Sequence, residues 1–138
     1  MQFPEFALKD DTGQELPSYL LENMHFIVCF APDLSAETID LAKQFDVHYQ
    51  KLIIRNIITM VVTPCSQEET REKVLERDIK VKMLCDPGNV LLNKCGASGR
   101  ETFFVGKDRE ILAHWKDVTV EGHANAVYDR LKSFFKPA

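Results

Sequence analysis

The sequence has no Cys-x-x-Cys pair: its four cysteines stand apart at 29, 65, 85 and 95. Such spacing builds neither a zinc knuckle nor a dithiol motif, and in a reducing compartment it predicts free thiols rather than a disulfide framework. Paired spacing is also missing among His25, His48, His114 and His123, so no metal is expected. No apolar run approaches the roughly 20 residues of a membrane span, and MQFPEFALKDD lacks the basic, apolar and small-residue order of a signal peptide. The expected setting is therefore the cytoplasm, with no membrane partner. Positive charge is not in excess, with 17 basic residues against 21 acidic ones. Apart from pairs such as Lys80/Lys82 and Lys132/Lys136 the basic residues are scattered, which argues against nucleic acid. Repeats, linkers and low-complexity segments are absent. The 138 residues read as one domain, 1–138, long enough to bury a core unaided by disulfides.

What is present is a strand that hands over directly to a helix. Phe26 to Ala31 is a short apolar run, partly β-branched, of the kind that forms a buried central strand. Pro32 stops it. Asp33 and Ser35 are helix-capping types, and Ala42, Phe45, Tyr49, Leu52 and Ile53 follow at helical spacing, which predicts one long amphipathic helix from about Ala36. Backbone N–H groups converge at such a helix start, and the dipole favours an anion there.

The remaining punctuation gives a coarse map. Phe6 to Leu8 and Glu15-Leu16 flank a turn at Asp10 to Gly13, predicting an N-terminal β-hairpin, and Pro17 to Leu21 suggests a helical turn. Asn56 to Thr63 is a second buried strand. Ser66 to Glu69 spells a capping box before a charged helix that ends near Asp78. Val81 to Leu84 is a strand ending at Asp86-Pro87-Gly88, where Pro then Gly fits a type II turn. Val90 to Lys94 suggests a short helix. Thr102 to Val105 and Glu110 to Trp115 flank Gly106 to Arg109 as a tight hairpin. Ala124, Val127, Leu131 and Phe134 mark one face of a closing helix. The order is that of an α/β domain.

In order and spacing, FPEFALKDDTGQEL, FIVCFAP, VVTPCSQEE, MLCDPGNVLLNKCGA, GRETFFVGKDREI and HWKDVTVEGHANAV make the chain resemble the peroxiredoxins, especially the bacterioferritin comigratory protein branch of the alkyl hydroperoxide reductase and thiol-specific antioxidant family. The resemblance implies a thioredoxin-like fold: a central mixed β-sheet flanked by helices, with Phe26 to Ala31 beside Asn56 to Val62 in parallel and Thr102 to Val105 on its other side. It also implies a loop in which a proline precedes a threonine, and two further residues separate that threonine from the peroxidatic cysteine. Pro32 matches the proline. With the loop one residue shorter, Ser35 falls on the threonine and Thr38 on the cysteine; without the shortening, Ala36 and Ile39 do. Neither alignment supplies a thiol. Arg100 matches the arginine that helps hold thiolate and peroxide, and Glu101 stands where thioredoxins proper carry a cis-proline.

The missing sulfur decides the expected chemistry. Peroxide reduction needs a thiolate that becomes a sulfenic acid, and threonine has no such route. Glu37, in the first helical turn, is expected to oppose a second anion there. Ser35 and Thr38 then read as an ordinary helix cap, and Arg100 either pairs with Glu101, Glu110 or another carboxylate or retains an anion site. Cys29 reads as a small core hydrophobe. Cys65 lies at the carboxyl rim of the sheet just before the capping box, and Cys85 and Cys95 flank the Asp86 to Gly88 turn near that rim. His48 reads as a boundary residue and His123 as a polar cap. The leading expectation is a redoxin-like protein without peroxidase activity that works by binding or assembly, as a homodimer or with a protein partner or small anionic ligand, and with no cofactor. The alternative is a thiol oxidoreductase whose nucleophile has moved to Cys65 or Cys95.

Overall fold

The computed structural model describes residues 1–135; Lys136 and the two residues after it lie outside the described part. At its centre is β3 (His25–Phe30), buried along all but its first residue. Apolar side chains at consecutive positions suit a strand covered on both faces. β4 (Ile57–Thr63) runs parallel to it, Phe26 opposite Ile58 through Phe30 opposite Val62, and β5 (Lys82–Cys85) runs parallel to β4. On the other side β6 (Glu101–Val105) is antiparallel, with Cys29 opposite Thr102, and β7 (Ile111–Trp115) follows it as a hairpin. β1 (Ala7–Asp10) and β2 (Glu15–Pro17) form the N-terminal hairpin, and β1 also pairs with β5. The result is one mixed seven-stranded sheet, ordered β2-β1-β5-β4-β3-β6-β7. It has the strand neighbours implied by the resemblance.

The pleat of β3 divides the core. Ile27, Cys29 and Ala31 join Val61, Met83 and Phe104 beneath α1 (Ala36–Val47), α2 (Tyr49–Ile53) and α5 (His123–Leu131). Phe26, Val28 and Phe30 face the opposite way, against Phe3, Leu21, Phe103 and Leu91 of α4 (Val90–Lys94). Phe3 is 0% exposed. Its N–H donates to the Arg109 carbonyl at 2.7 Å, and Arg109 Nη1 donates to its carbonyl at 2.6 Å, so the first residues are fastened to the turn before β7. α3 (Gln67–Arg77) begins at the expected capping box: Ser66 Oγ accepts the Glu69 N–H at 3.2 Å and donates to Glu69 Oε1 at 3.1 Å. At Asp86-Pro87-Gly88, φ 76° and ψ 6° at Gly88 and a 2.9 Å bond from Asn89 N–H to the Asp86 carbonyl fit the type II turn.

Two local expectations are corrected. The long helix breaks at His48 (φ −98°, ψ 2°) into α1 and α2. His48 Nε2 is 2.8 Å from Asn125 Oδ1 and its ring stacks on Tyr128 at 4.3 Å, contacts that hold the break against α5. The apolar spacing runs through the break because α2 still places Leu52 in the same core. The closing helix ends at Leu131 and tightens to a 3-10 turn, Lys132–Phe134, which sets Phe134 edge-on to Phe104 at 5.1 Å. The β6–β7 hairpin forms as expected, with Asp108 and Arg109 left-handed in its turn. Gly106 is needed for space: a Cβ there would lie 2.8 Å from Leu112 Cδ1. Among the described residues no helix is long and apolar enough to cross a membrane.

Candidate functional site

The strand-to-helix turn lies at the carboxyl end of β3. Ala31 keeps the ladder for one more bond, its N–H donating to the Val62 carbonyl at 2.9 Å, and Pro32 then turns the chain away. The Asp33 carboxylate folds back over the helix start. Its Oδ1 accepts the Ser35 N–H at 3.0 Å and faces the Thr38 hydroxyl at 3.4 Å. Ser35 is the N-cap by backbone geometry, its carbonyl accepting the Ile39 N–H at 3.0 Å, but its hydroxyl caps nothing. Thr38 is fully buried in the first turn. Ser35 thus stands at the cap position as expected but caps through its backbone alone, and the anion at the turn is Asp33.

Arg100, one residue before β6, completes the group. Its Nη2 lies 4.0 Å from Asp33 Oδ1, and the side chain is only 14% exposed while that of Asp33 is 57% exposed. Among the described residues Nη1 is buried without a hydrogen-bond partner. Neither Glu101 nor Glu110 is the arginine's partner. Glu101 instead accepts the Ser98 N–H at 2.8 Å and lies 2.6 Å from His114 Nε2. The Ser35 hydroxyl and N–H, then Arg100 and Thr38, hold the Asp33 carboxyl below its ordinary pKa, against a smaller opposing effect of burial. Glu37 is not the anion nearest the turn. It lines a separate cavity with Ala36, Asp40 and Val120.

The cysteines divide between sites. Cys65 shares a cavity of ≈ 400 Å³ with Asp33, Leu34 and Ser35 on one wall and Glu69, Glu72 and Lys73 of α3 on the other. The carboxyl rim thus brings Cys65 to the turn, as its place in the sequence suggests. Cys95 lines a different cavity, with Phe103, His114 and Lys116. Burial, then Asp86 and Glu101, push its thiol up to about 12. Cys85 is buried with Sγ 3.5 Å from Thr70 Oγ1, and burial raises its pKa. Cys29 is a core residue whose thiol burial pushes up to about 12, a hydrogen bond with Thr102 opposing the shift.

The reading of His123 as a polar cap is corrected. Gly122 occupies the N-cap of α5, while the His123 ring sits 6% exposed, edge-on to Phe45 and Trp115, with Nε2 2.8 Å from Thr102 Oγ1. Burial pushes its pKa down to about 4, so the ring is neutral near pH 7. The only hint was its place at a helix start beside an apolar face. Among the described residues no group of three or more His, Cys, Asp or Glu side chains is placed to hold a metal ion.

No protein-family model and no curated protein sequence matches the chain. Solved structures do. A cysteine-to-serine mutant of Xylella fastidiosa PrxQ superposes with a TM-score of 0.90 at 17% identity, covering 95% of this chain and 90% of that one. The fold is that of the peroxiredoxins. The Xanthomonas campestris bacterioferritin comigratory protein gives a TM-score of 0.89 at 16% identity over 95% of this chain and 92% of its own. Peroxidoxin BcpB from Mycobacterium tuberculosis gives 0.87 at 18% over 96% and 95%. At these identities the likeness is one of peroxiredoxin fold, and it extends over nearly the whole of each chain.

Proposed function

We propose that this chain is a peroxiredoxin-like redoxin protein, of the bacterioferritin comigratory branch, whose peroxidatic turn is degenerate and which acts in the cytoplasm by binding or assembly rather than by reducing peroxide. One observation carries the reading. The turn that would hold a thiolate against Arg100 holds the Asp33 carboxylate instead, with Ser35 N–H and Thr38 as its other neighbours. A carboxylate held by the Ser35 N–H and lying near the guanidinium cannot become a sulfenic acid. Beside this turn lies the ≈ 400 Å³ cavity that it shares with α3, whose residues are open to contact. Asp33, Glu69 and Glu72 in its walls favour a protein partner or a second copy presenting basic residues over a small anion, which would have to displace Asp33 from Arg100.

A second reading rests on Cys65, which lies on the same cavity: a thiol-dependent antioxidant with a relocated nucleophile. Cys95 is the weaker candidate for that role, since burial and two carboxylates hold its thiol protonated. The deciding experiment supplies hydrogen peroxide and a reducing dithiol to the wild type and to a variant with Cys65, Cys85 and Cys95 replaced by serine. Consumption no faster than that of ordinary free thiols supports the binding reading. Saturable turnover lost with Cys65→Ser supports the alternative, and turnover that survives in the triple variant overturns both.

A further inference from the structure

A separate cavity of ≈ 310 Å³ lies on the side of the sheet that carries Phe3 and α4, and it shares no residue with the cavity at the Asp33 turn. Strand alternation builds one of its walls. Successive side chains of a strand point to opposite faces, so Glu101 and Phe103 of β6 share a face, and Phe103 is the ladder partner of His114 on β7. The His114 ring lies on the Phe103 ring, with centroids 3.9 Å and planes 16° apart. Its Nε2 is 2.6 Å from Glu101 Oε1, while Glu101 Oε2 accepts the Ser98 N–H at 2.8 Å. The stack and the carboxylate thus hold the imidazole in one orientation, and Nδ1 is the nitrogen left for a ligand. The charged side chains in the lining, Lys94 at the end of α4 and Lys116 just past β7, are both basic. Among the described residues neither forms an ion pair. The two carboxylates that act on Cys95 in the same wall are turned to other partners. Both Glu101 oxygens are engaged, and Asp86 accepts the N–H groups of Leu91 and Leu92 at 3.0 to 3.2 Å. Pro4, Phe103 and Ile111 supply apolar surface. Apolar walls with a few convergent polar groups are the usual form of a small-molecule site.

We propose that this cavity binds a small amphipathic anion, a short aliphatic chain ending in a carboxylate or phosphate, with the head group on Lys94, Lys116 and His114 and the chain on Phe103 and Ile111. In the imidazolium form both ring nitrogens donate, Nε2 to Glu101 and Nδ1 to the head group. The buried Glu101 side chain then acts as a positioning group: it holds the ring toward the ligand without presenting its own charge to it. The lysines supply attraction from the rim, where both are exposed. The cavity rejects a purely apolar molecule by leaving these cations unanswered, and an ion without a chain by leaving its apolar wall uncovered. The proposal stands on the β6–β7 register and on this lining, and it does not depend on the reading of the Asp33 turn.

The test titrates the full chain with octanoate and with octyl phosphate by calorimetry and locates the site from amide shifts in NMR spectra. Saturable binding at one site is expected, with the largest shifts at Gly96, Phe103 and His114, and the tighter of the two probes identifies the head group. Inorganic phosphate, acetate and 1-octanol each carry half of the ligand and are expected to bind at least about tenfold more weakly. Lys94→Gln combined with Lys116→Gln, both at exposed positions, should weaken binding by about tenfold, while Lys80→Gln, whose side chain pairs with Asp78, should not. The proposal is overturned if neither probe binds, if 1-octanol or inorganic phosphate binds as tightly, or if the lysine pair variant keeps its affinity. Shifts centred on Ser35 and Arg100 would overturn it as well, because they would place the anion at the Asp33 turn.

Discussion

Replacing Thr38 with cysteine asks what the turn does to a thiolate. The Thr38 hydroxyl lies 3.4 Å from Asp33 Oδ1, so a sulfur at that position sits about 4 Å from a carboxylate charge. Two like charges at ~4 Å repel by about 4 kcal/mol at an effective dielectric of 20 and by about 1 kcal/mol in bulk water. Asp33 is more than half exposed, so the lower part of that range applies, and at about 1.4 kcal/mol per pKa unit the thiol rises by roughly 1 to 2 units. The Thr38→Cys thiol is expected to titrate above the ordinary value of about 8.5. Adding Asp33→Asn removes the repulsion and leaves Arg100 without its counter-charge, and the pKa is expected to fall by at least about 1 unit. Adding Glu37→Gln instead should move it less, because Glu37 faces a different cavity. Thiolate absorbance against pH, in a background with Cys65→Ser and Cys95→Ser, measures all three. The reasoning fails if Asp33→Asn leaves the pKa unchanged, or if Glu37→Gln lowers it more.

Three further outcomes follow from the core and the helix ends. His123 has a folded pKa of about 4 against an unfolded value near 6.5, so the unfolded chain binds the extra proton. Stability from this group is fully present above about pH 6.5 and is lost as pH falls toward 4, by about 3 kcal/mol in all. Urea midpoints across that window should show the loss, and His123→Leu should flatten this part of the slope. Phe104→Ala, in the centre of the sheet, should cost about 3–5 kcal/mol in the same assay, while Leu75→Ala, at a 64% exposed position, should stay within about 0.5 kcal/mol. Ser66→Ala removes the α3 capping box and should cost about 1 kcal/mol, with faster amide exchange confined to the first turn of that helix.

Much of the sheet was legible because its strands carry strong local signals. Phe26 to Ala31 and Asn56 to Thr63 are apolar on both faces, and the Ser66 box and the Pro87-Gly88 turn are made by neighbours in sequence. The His48 break was hidden because its cause, Asn125 and Tyr128, lies some eighty residues away on α5 while the apolar spacing continues past it. In the candidate site the resemblance grouped Pro32, Ser35, Thr38 and Arg100, and in the fold Ser35, Thr38 and Arg100 each lie against Asp33. The sequence put the opposing charge on Glu37, since a first-turn acid is the usual partner of a helix dipole. The Asp33 turn onto Ser35 is local, but the approach of Arg100 to that carboxylate joins residues far apart in sequence, which no local pattern encodes. His123 shows the same limit: its partner Thr102 lies across the core.

The fastening of Phe3 to Arg109 sets an order of events for the chain as it is made. The two residues are separated by 106 positions, and closing a loop of that length costs about 4 kcal/mol of chain entropy beyond a fixed term. On a ribosome Phe3 emerges 106 residues ahead of its anchor. Until Gly106 to Ile111 has left the tunnel, the phenylalanine that meets Phe6, Phe26, Phe30 and Phe103 has no lid over it, and the sheet face it covers stays open to solvent. A nascent chain stopped short of residue 106 therefore presents that aromatic face to whatever binds unfinished proteins, and one extended past residue 111 can withdraw it.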